Sequence, residues 1–68
     1  MSGYYAITLD RIPSEENSFV TASTLQWTTP TGGNQERKNI AFEVVKLEGD
    51  TAWLWYPREG IKLIVRFL

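Results

Sequence analysis

The sequence predicts an all-β domain, and the C-terminal half contains the clearest evidence for this fold class. Three apolar runs at residues 40–47, 51–56 and 61–68 are separated only by residues 48–50 and 57–60. Connections this short join antiparallel neighbours, because a parallel crossover needs about a dozen residues or more. These three runs therefore predict a three-stranded antiparallel meander.

Two further strands are predicted in the N-terminal half, each from alternation of side chains. A strand over residues 4–9 places Tyr5, Ile7 and Leu9 on one face. A strand over residues 19–28 is rich in β-branched residues. Alternation places five residues of this strand on the same face: Phe19, Thr21, Ser23, Leu25 and Trp27. Because sequential strands usually pair, we expect a five-stranded antiparallel sheet, curled strongly or closed into a small barrel of SH3-like or OB-like size.

The two remaining stretches are polar and predict loops. Residues 10–18 contain Pro13, and Ser14 could cap a single helical turn that begins there. Residues 29–38 form the longest polar stretch, interrupted by Pro30 and two glycines. No break in composition divides the chain, so residues 1–68 are expected to form one domain.

The turn at residues 57–60 decides where two tryptophans point. Trp53 and Trp55 are two residues apart and share a face of their strand. A four-residue turn would place Trp55 opposite Lys62 and create an aromatic and cationic outer patch. A three-residue turn over residues 58–60 would place Trp55 opposite Leu63 on an apolar face. We favour this core placement, because burying a large side chain contributes about 1.5–3 kcal/mol.

The preceding hairpin supports the core placement. A two-residue turn at Gly49 and Asp50 would pair Lys46 with Trp53 and Val44 with Trp55. The opposite face, called the mixed face below, comprises Ala41, Glu43, Val45, Leu47, Leu54, Tyr56, Lys62, Ile64 and Arg66, with Leu68 as a further candidate.

An apolar surface of that size is typical of an interaction site. The alternative is that the curvature of the barrel and the N-terminal loop cover most of it. The residues predicted to bind a partner there are Tyr56, Lys62, Ile64 and Arg66. The polar stretch at residues 29–38, with Arg37 and Lys38, is the second candidate surface.

The composition excludes several kinds of chemistry. The 68 residues include no cysteine and no histidine, so disulfides, Cys/His zinc sites and Ser/His or Cys/His catalysis cannot be built. Glu43 could form a carboxylate pair with Glu36 or Glu48, but a shallow small barrel disfavours a glycosidase site. We interpret Glu43 as an outward strand charge or a partner of a nearby cation. No catalytic residue, cofactor or metal site is predicted.

The charge balance bears on the class of partner. The formal net charge is −1 and the pI is about 5.2, which disfavours nucleic acid because phosphate contacts need clustered cations. No segment is apolar and long enough for a bilayer, and no signal peptide is evident. We therefore expect a cytoplasmic setting without a membrane partner.

These observations favour a small non-catalytic binding module that acts through protein–protein contacts. The partner would be a larger protein or further copies of the chain. The alternative is a barrel that binds single-stranded nucleic acid by stacking bases on aromatic rings beside cations. Residues able to serve that role are Tyr4, Tyr5, Trp27, Trp53, Trp55 and Tyr56, with Arg37, Lys38, Lys62 and Arg66.

Overall fold

The computed structural model describes residues 5–67, and it contains one sheet of five antiparallel strands in chain order. The strands are β1 Tyr5–Leu9, β2 Phe19–Thr28, β3 Asn34–Glu48, β4 Thr51–Tyr56 and β5 Ile61–Arg66. The sheet is strongly curled into a half-barrel, and residues 5–67 include no helix. This architecture confirms the predicted fold class, while the outermost predicted strand residues, Tyr4 and Leu68, lie outside the described range.

Hydrophobic burial on the concave side holds the sheet together. Nine side chains are buried there: Val20, Ala22, Leu25, Ile40, Phe42, Val44, Ala52, Leu54 and Val65. Half-buried residues from both edge strands extend this core, among them Tyr5, Ile7 and Leu63. The predicted shared face of Tyr5, Ile7 and Leu9 is confirmed, and the structure packs this face against the core.

The face presented by β2 changes halfway along the strand. Val20 and Ala22 are buried in its first half, whereas Leu25 is buried in its second half. The prediction of a single face from Phe19 to Trp27 is therefore wrong. The cause is an irregularity against β1, where the register skips Ser23 between the pairs Thr8–Thr24 and Leu9–Ala22. A bulge of this kind bends a strand and increases its twist, which curls the sheet.

The hairpin between β2 and β3 is longer than the sequence predicted. β3 begins at Asn34, so the predicted loop over residues 29–38 is correct only for residues 29–33. The polar residues 34–38 become part of β3 because their backbone pairs with the second half of β2, from Thr24 to Thr28. A side-chain hydrogen bond from Gln26 Nε2 to Glu36 Oε2, 2.9 Å long, adds a cross-strand contact. Alternation gave no signal for this part of β3, because residues 34–39 are all polar and all but Arg37 are exposed.

The loop over residues 10–18 packs along β3 without forming the helical turn considered at Ser14. Asn17 adopts a left-handed conformation with φ of 65°. Its backbone N–H donates to the Val44 carbonyl at 2.8 Å, and the Val44 N–H donates to the Ser18 carbonyl at 2.8 Å. The loop thereby supplies hydrogen-bond partners to the Val44 backbone, which lies just past the last pair between β2 and β3, Phe19 with Glu43.

The turn between β4 and β5 depends on a left-handed glycine. Gly60 has φ of 67°, and a Cβ added there would meet no atom within 4 Å. Gly60→Ala is therefore expected to cost about 1–2 kcal/mol of unfolding free energy through backbone strain alone. Urea denaturation checks this value. Gly60→Asn is the matched control, because asparagine tolerates the left-handed region and should cost less. Equal stability of all three proteins would contradict a left-handed residue at this turn.

Candidate binding surface

Both β4 tryptophans point away from the core. Trp55 pairs with Lys62 and Trp53 with Ile64 on β5, because the turn has four residues and Tyr56 pairs with Ile61. Between the tryptophans, Leu54 is directed inward and is only 1% exposed. The core placement favoured from the sequence is therefore wrong. Gly60 was the available signal, since its left-handed conformation completes the four-residue turn.

A bulge at Val45 sets the face of the neighbouring strand. The predicted turn at Gly49 and Asp50 is confirmed, and Lys46 pairs with Trp53 as expected. Past Val45 the register shifts, so that Glu43 rather than Val44 pairs with Trp55. The predicted Val44–Trp55 pair is wrong because the bulge inserts one extra residue and keeps Val44 in the core.

The loop over residues 10–18 supports this bulge. The Val44 carbonyl accepts the Asn17 N–H at 2.8 Å, on one side of Val45. On the other side, the Leu47 N–H donates to Glu16 Oε2 at 2.9 Å. Backbone groups of β3 that lie beyond the start of β2 thus find partners on both sides of the bulge.

The result is an apolar groove on the convex side of the sheet. It has a volume of about 440 Å³, and its outward-facing lining comes from Val45, Trp53, Trp55, Lys62 and Ile64. Ile64 is 59% exposed and Val45 is 44% exposed. We call these five residues, together with the flanking Phe19, Glu43 and Lys46, the outer patch. Phe19 pairs with Glu43, which pairs with Trp55, so the patch crosses four strands from β2 to β5.

Two lysines cover the tryptophan rings. Lys46 Nζ lies 4.7 Å from the Trp53 ring centroid, and Lys62 Nζ lies 5.6 Å from that of Trp55. Exposed cation–π contacts of this kind contribute about 0.5–1 kcal/mol. Lys46 also lies 3.5 Å from a Glu48 carboxylate oxygen, whereas Lys62 forms no ion pair with any residue between 5 and 67. Within the described range, Lys62 is thus a cation with an aromatic neighbour but no anion.

The four residues predicted to bind a partner do not share one surface. Lys62, Ile64 and Arg66 face outward, as predicted. Tyr56 lies on the concave side, with its ring centroid 5.8 Å from that of Phe42. The assignment of Tyr56 and Leu54 to the mixed face is therefore wrong. It assumed a turn of three residues, whereas the turn has four.

Arg66 and Glu43 are also part of the outward-facing surface, but they do not pair with each other. Arg66 Nε donates to Asp50 Oδ2 at 3.2 Å, which ties β5 to the β3–β4 turn. Within the described chain, Glu43 forms no ion pair with Arg66 or Lys62. Glu43 is an outward strand charge, the first of the two interpretations drawn from the sequence.

Arg37 and Lys38 belong to β3, not to a loop, and their environments differ. The Arg37 guanidinium binds the Glu59 carboxylate, with Nη2 2.7 Å from Oε1, and its Cζ lies 5.3 Å from the Trp27 ring centroid. Arg37 thus connects β3 with the β4–β5 turn. Lys38 pairs with Thr24 and is exposed. The two cations do not form a common surface.

The Arg37–Glu59 pair predicts a pH dependence of stability. The hydrogen bond from Arg37, followed by its charge, lowers the pKa of Glu59. A carboxyl group whose pKa is lower in the folded state adds stability above its unfolded pKa, and this is lost as pH falls through its folded pKa. Lowering the pH should therefore reduce the stability of the wild type more than that of Glu59→Gln. Thermal unfolding of both proteins at a series of pH values, from neutral to acidic, measures this difference. Parallel pH curves would contradict the pairing.

Other kinds of site find little support in the part of the chain that the structure describes. Residues 5–67 contain no cluster of three or more acidic side chains placed to hold a metal ion. The same residues include no helix that could cross a membrane. Comparison with protein families, curated proteins and solved structures finds no match to this chain.

Proposed function

We propose that this protein is a small non-catalytic binding module that docks on a partner protein through the outer patch. The observation that supports this most is the outward direction of Trp53, Trp55 and Ile64 on a sheet whose concave side holds the hydrophobic core. A contiguous apolar surface on a small domain is typical of an interaction site.

The composition of the outer patch matches the centre of a protein interface. Tryptophan is among the residues that contribute most to binding energy when an interface buries it. The groove of about 440 Å³ offers room for a large apolar side chain of the partner. Lys62 has no anion of its own in the described chain, so a carboxylate at the rim of the partner surface would complement it.

Capture from native lysate tests this proposal, with two isoleucines as a matched pair. Ile64 is 59% exposed in the outer patch, and Ile12 is 61% exposed in the loop over residues 10–18. Ile64→Ser should lose the proteins that wild type retains, as identified by mass spectrometry, whereas Ile12→Ser should keep them. Both variants should unfold within a few degrees of wild type, because neither side chain is buried. Equal capture by all three proteins would remove the outer patch as the docking site.

Single-stranded nucleic acid is the second candidate ligand. The lysines beside Trp53 and Trp55 favour it, since stacked rings and adjacent cations are what such proteins use. The net charge of −1 argues against it. Titration with single-stranded oligonucleotides at low salt, followed by tryptophan fluorescence, distinguishes the two. Quenching that weakens steeply with salt would favour nucleic acid, and an unchanged signal would favour the protein partner.

A further inference from the structure

The two edges of the sheet face each other across an open seam. β1 and β5 run in the same direction, because successive strands of the meander alternate. No Cα atom of β1 lies within 8 Å of a Cα atom of β5. A hydrogen bond donated by the Tyr5 hydroxyl to the Ile64 carbonyl bridges them. The half-barrel is thus closed by a side chain where a barrel would have paired backbones.

At Tyr5 and Ile64 the seam is about one strand wide. A tyrosine side chain with its hydrogen bond spans no more than about 11 Å between the two Cα atoms it connects. The separation between Tyr5 and Ile64 therefore lies between 8 Å and this limit. Neighbouring strands lie about 4.8 Å apart, so two spacings amount to roughly 10 Å. The distance is too large for direct pairing and suits one intervening strand.

A cavity of about 390 Å³ opens along the seam. Side chains from β1, β2 and β5 line it, notably Tyr5, Leu25, Trp27, Ile61 and Leu63. Leu25 is buried, but the others are only half-buried. The concave core is therefore less completely covered here, and an apolar side chain entering from the seam would add to it.

We propose that the seam binds one extended segment of a partner protein, which inserts between β1 and β5 as a sixth strand. Because these two strands are parallel to each other, a single segment can run antiparallel to both. Its backbone would pair with the free edges of β1 and β5, as in β-strand addition. An N–H of the segment would replace the Tyr5 hydroxyl at the Ile64 carbonyl.

Alternation along the strand sets the chemistry of this segment. Every second side chain points into the cavity and must be apolar. The side chains between them face outward beside Lys62, which has no anion among residues 5–67, so an acidic residue is favoured there. A second copy of this chain is a poorer occupant, because all five described strands already pair within their own sheet.

Nuclear magnetic resonance (NMR) titration of the ¹⁵N-labelled full chain tests this inference. The probe is the acetylated and amidated peptide Thr-Val-Glu-Val-Thr-Val-Thr, which alternates apolar and polar residues and carries one acid. We expect cross-strand nuclear Overhauser effects from the peptide to both β1 and β5. The control peptide has the same side chains but alternate N-methylated amides, which cannot donate to a strand edge. Its affinity should be at least tenfold lower.

Two variants of the protein sharpen the test. Tyr5→Phe frees the Ile64 carbonyl and should tighten peptide binding about threefold, whereas loss of a merely structural contact would not tighten it. Lys62→Glu should weaken binding at least threefold, and it keeps the inference testable if Tyr5→Phe unfolds. Ile12→Ser, in the loop over residues 10–18 and outside the outer patch, should leave the affinity for the peptide unchanged.

Three results would overturn the inference. The first is a set of peptide contacts confined to the outer patch, and the second is equal affinity for the N-methylated peptide. The third is a concentration-dependent change at β1 and β5 in the protein alone, which would assign the seam to a second copy.

Discussion

Phe42→Ala is expected to remove a large part of the protein's free energy of unfolding. The Phe42 side chain is fully buried, and its ring packs 5.8 Å from that of Tyr56 at the centre of the concave side. Replacing a buried phenylalanine by alanine costs about 3–5 kcal/mol through lost burial and the cavity left behind. A domain of this size has little stability to spare, since folded proteins in general hold about 5–15 kcal/mol.

Phe19→Ala is the matched control for this change. Phe19 is 57% exposed on the convex side, so its loss should alter the free energy of unfolding by no more than about 0.5 kcal/mol. Urea denaturation followed by circular dichroism measures both variants. Equal destabilisation by the two substitutions would contradict the division of the sheet into a core side and a binding side.

The double substitution Trp53→Ser and Trp55→Ser is expected to abolish binding to a partner captured by wild type. Buried interface tryptophans commonly cost about 2 kcal/mol or more each when truncated, which corresponds to roughly 30-fold in affinity per residue. Both rings point away from the core, so the loss of stability should be limited to cross-strand contacts, about 0.2–1 kcal/mol for each pair.

Isothermal titration with the captured partner measures the affinity, and thermal unfolding of the free protein measures the stability. Leu54→Ser is the informative control, because Leu54 lies between the two tryptophans but is only 1% exposed. That variant should lose stability and should bind only through its remaining folded fraction. Undiminished affinity in the double tryptophan variant would exclude the outer patch as the site.

The fold class could be predicted because it depends on local features. Short connections force antiparallel neighbours, and the turn at Gly49 and Asp50 forms where the sequence indicates. β2, β4 and the start of β5 also follow the predicted bounds. β3 was predicted too short, because Asn34 and the polar residues after it become strand only through pairing with β2.

The direction of the tryptophans could not be predicted, because it depends on single-residue shifts. One residue more or less in the turn before Ile61 exchanges the two faces of β5 relative to β4. The bulge at Val45 exchanges the faces of β3 in the same way. Hydrophobicity favoured the register that placed the tryptophans on the more apolar face, and this criterion selected the wrong register.

Contacts between segments far apart in the chain could not be predicted from the sequence either. The support of the Val45 bulge by Asn17 and Glu16 joins segments far apart in the chain. The pair between Arg37 and Glu59 is of the same kind. Such contacts follow from the curl of the sheet, which a pattern of alternating residues does not encode.

The pairing of β4 with β5 tests the central claim most directly, and NMR can measure it in the free protein. With four residues in the turn, backbone nuclear Overhauser effects should connect Trp55 with Lys62 and Trp53 with Ile64. This result would place both rings on the convex side. Effects that connect Trp55 with Leu63 and Trp53 with Val65 instead would return the rings to the core and contradict the outer patch.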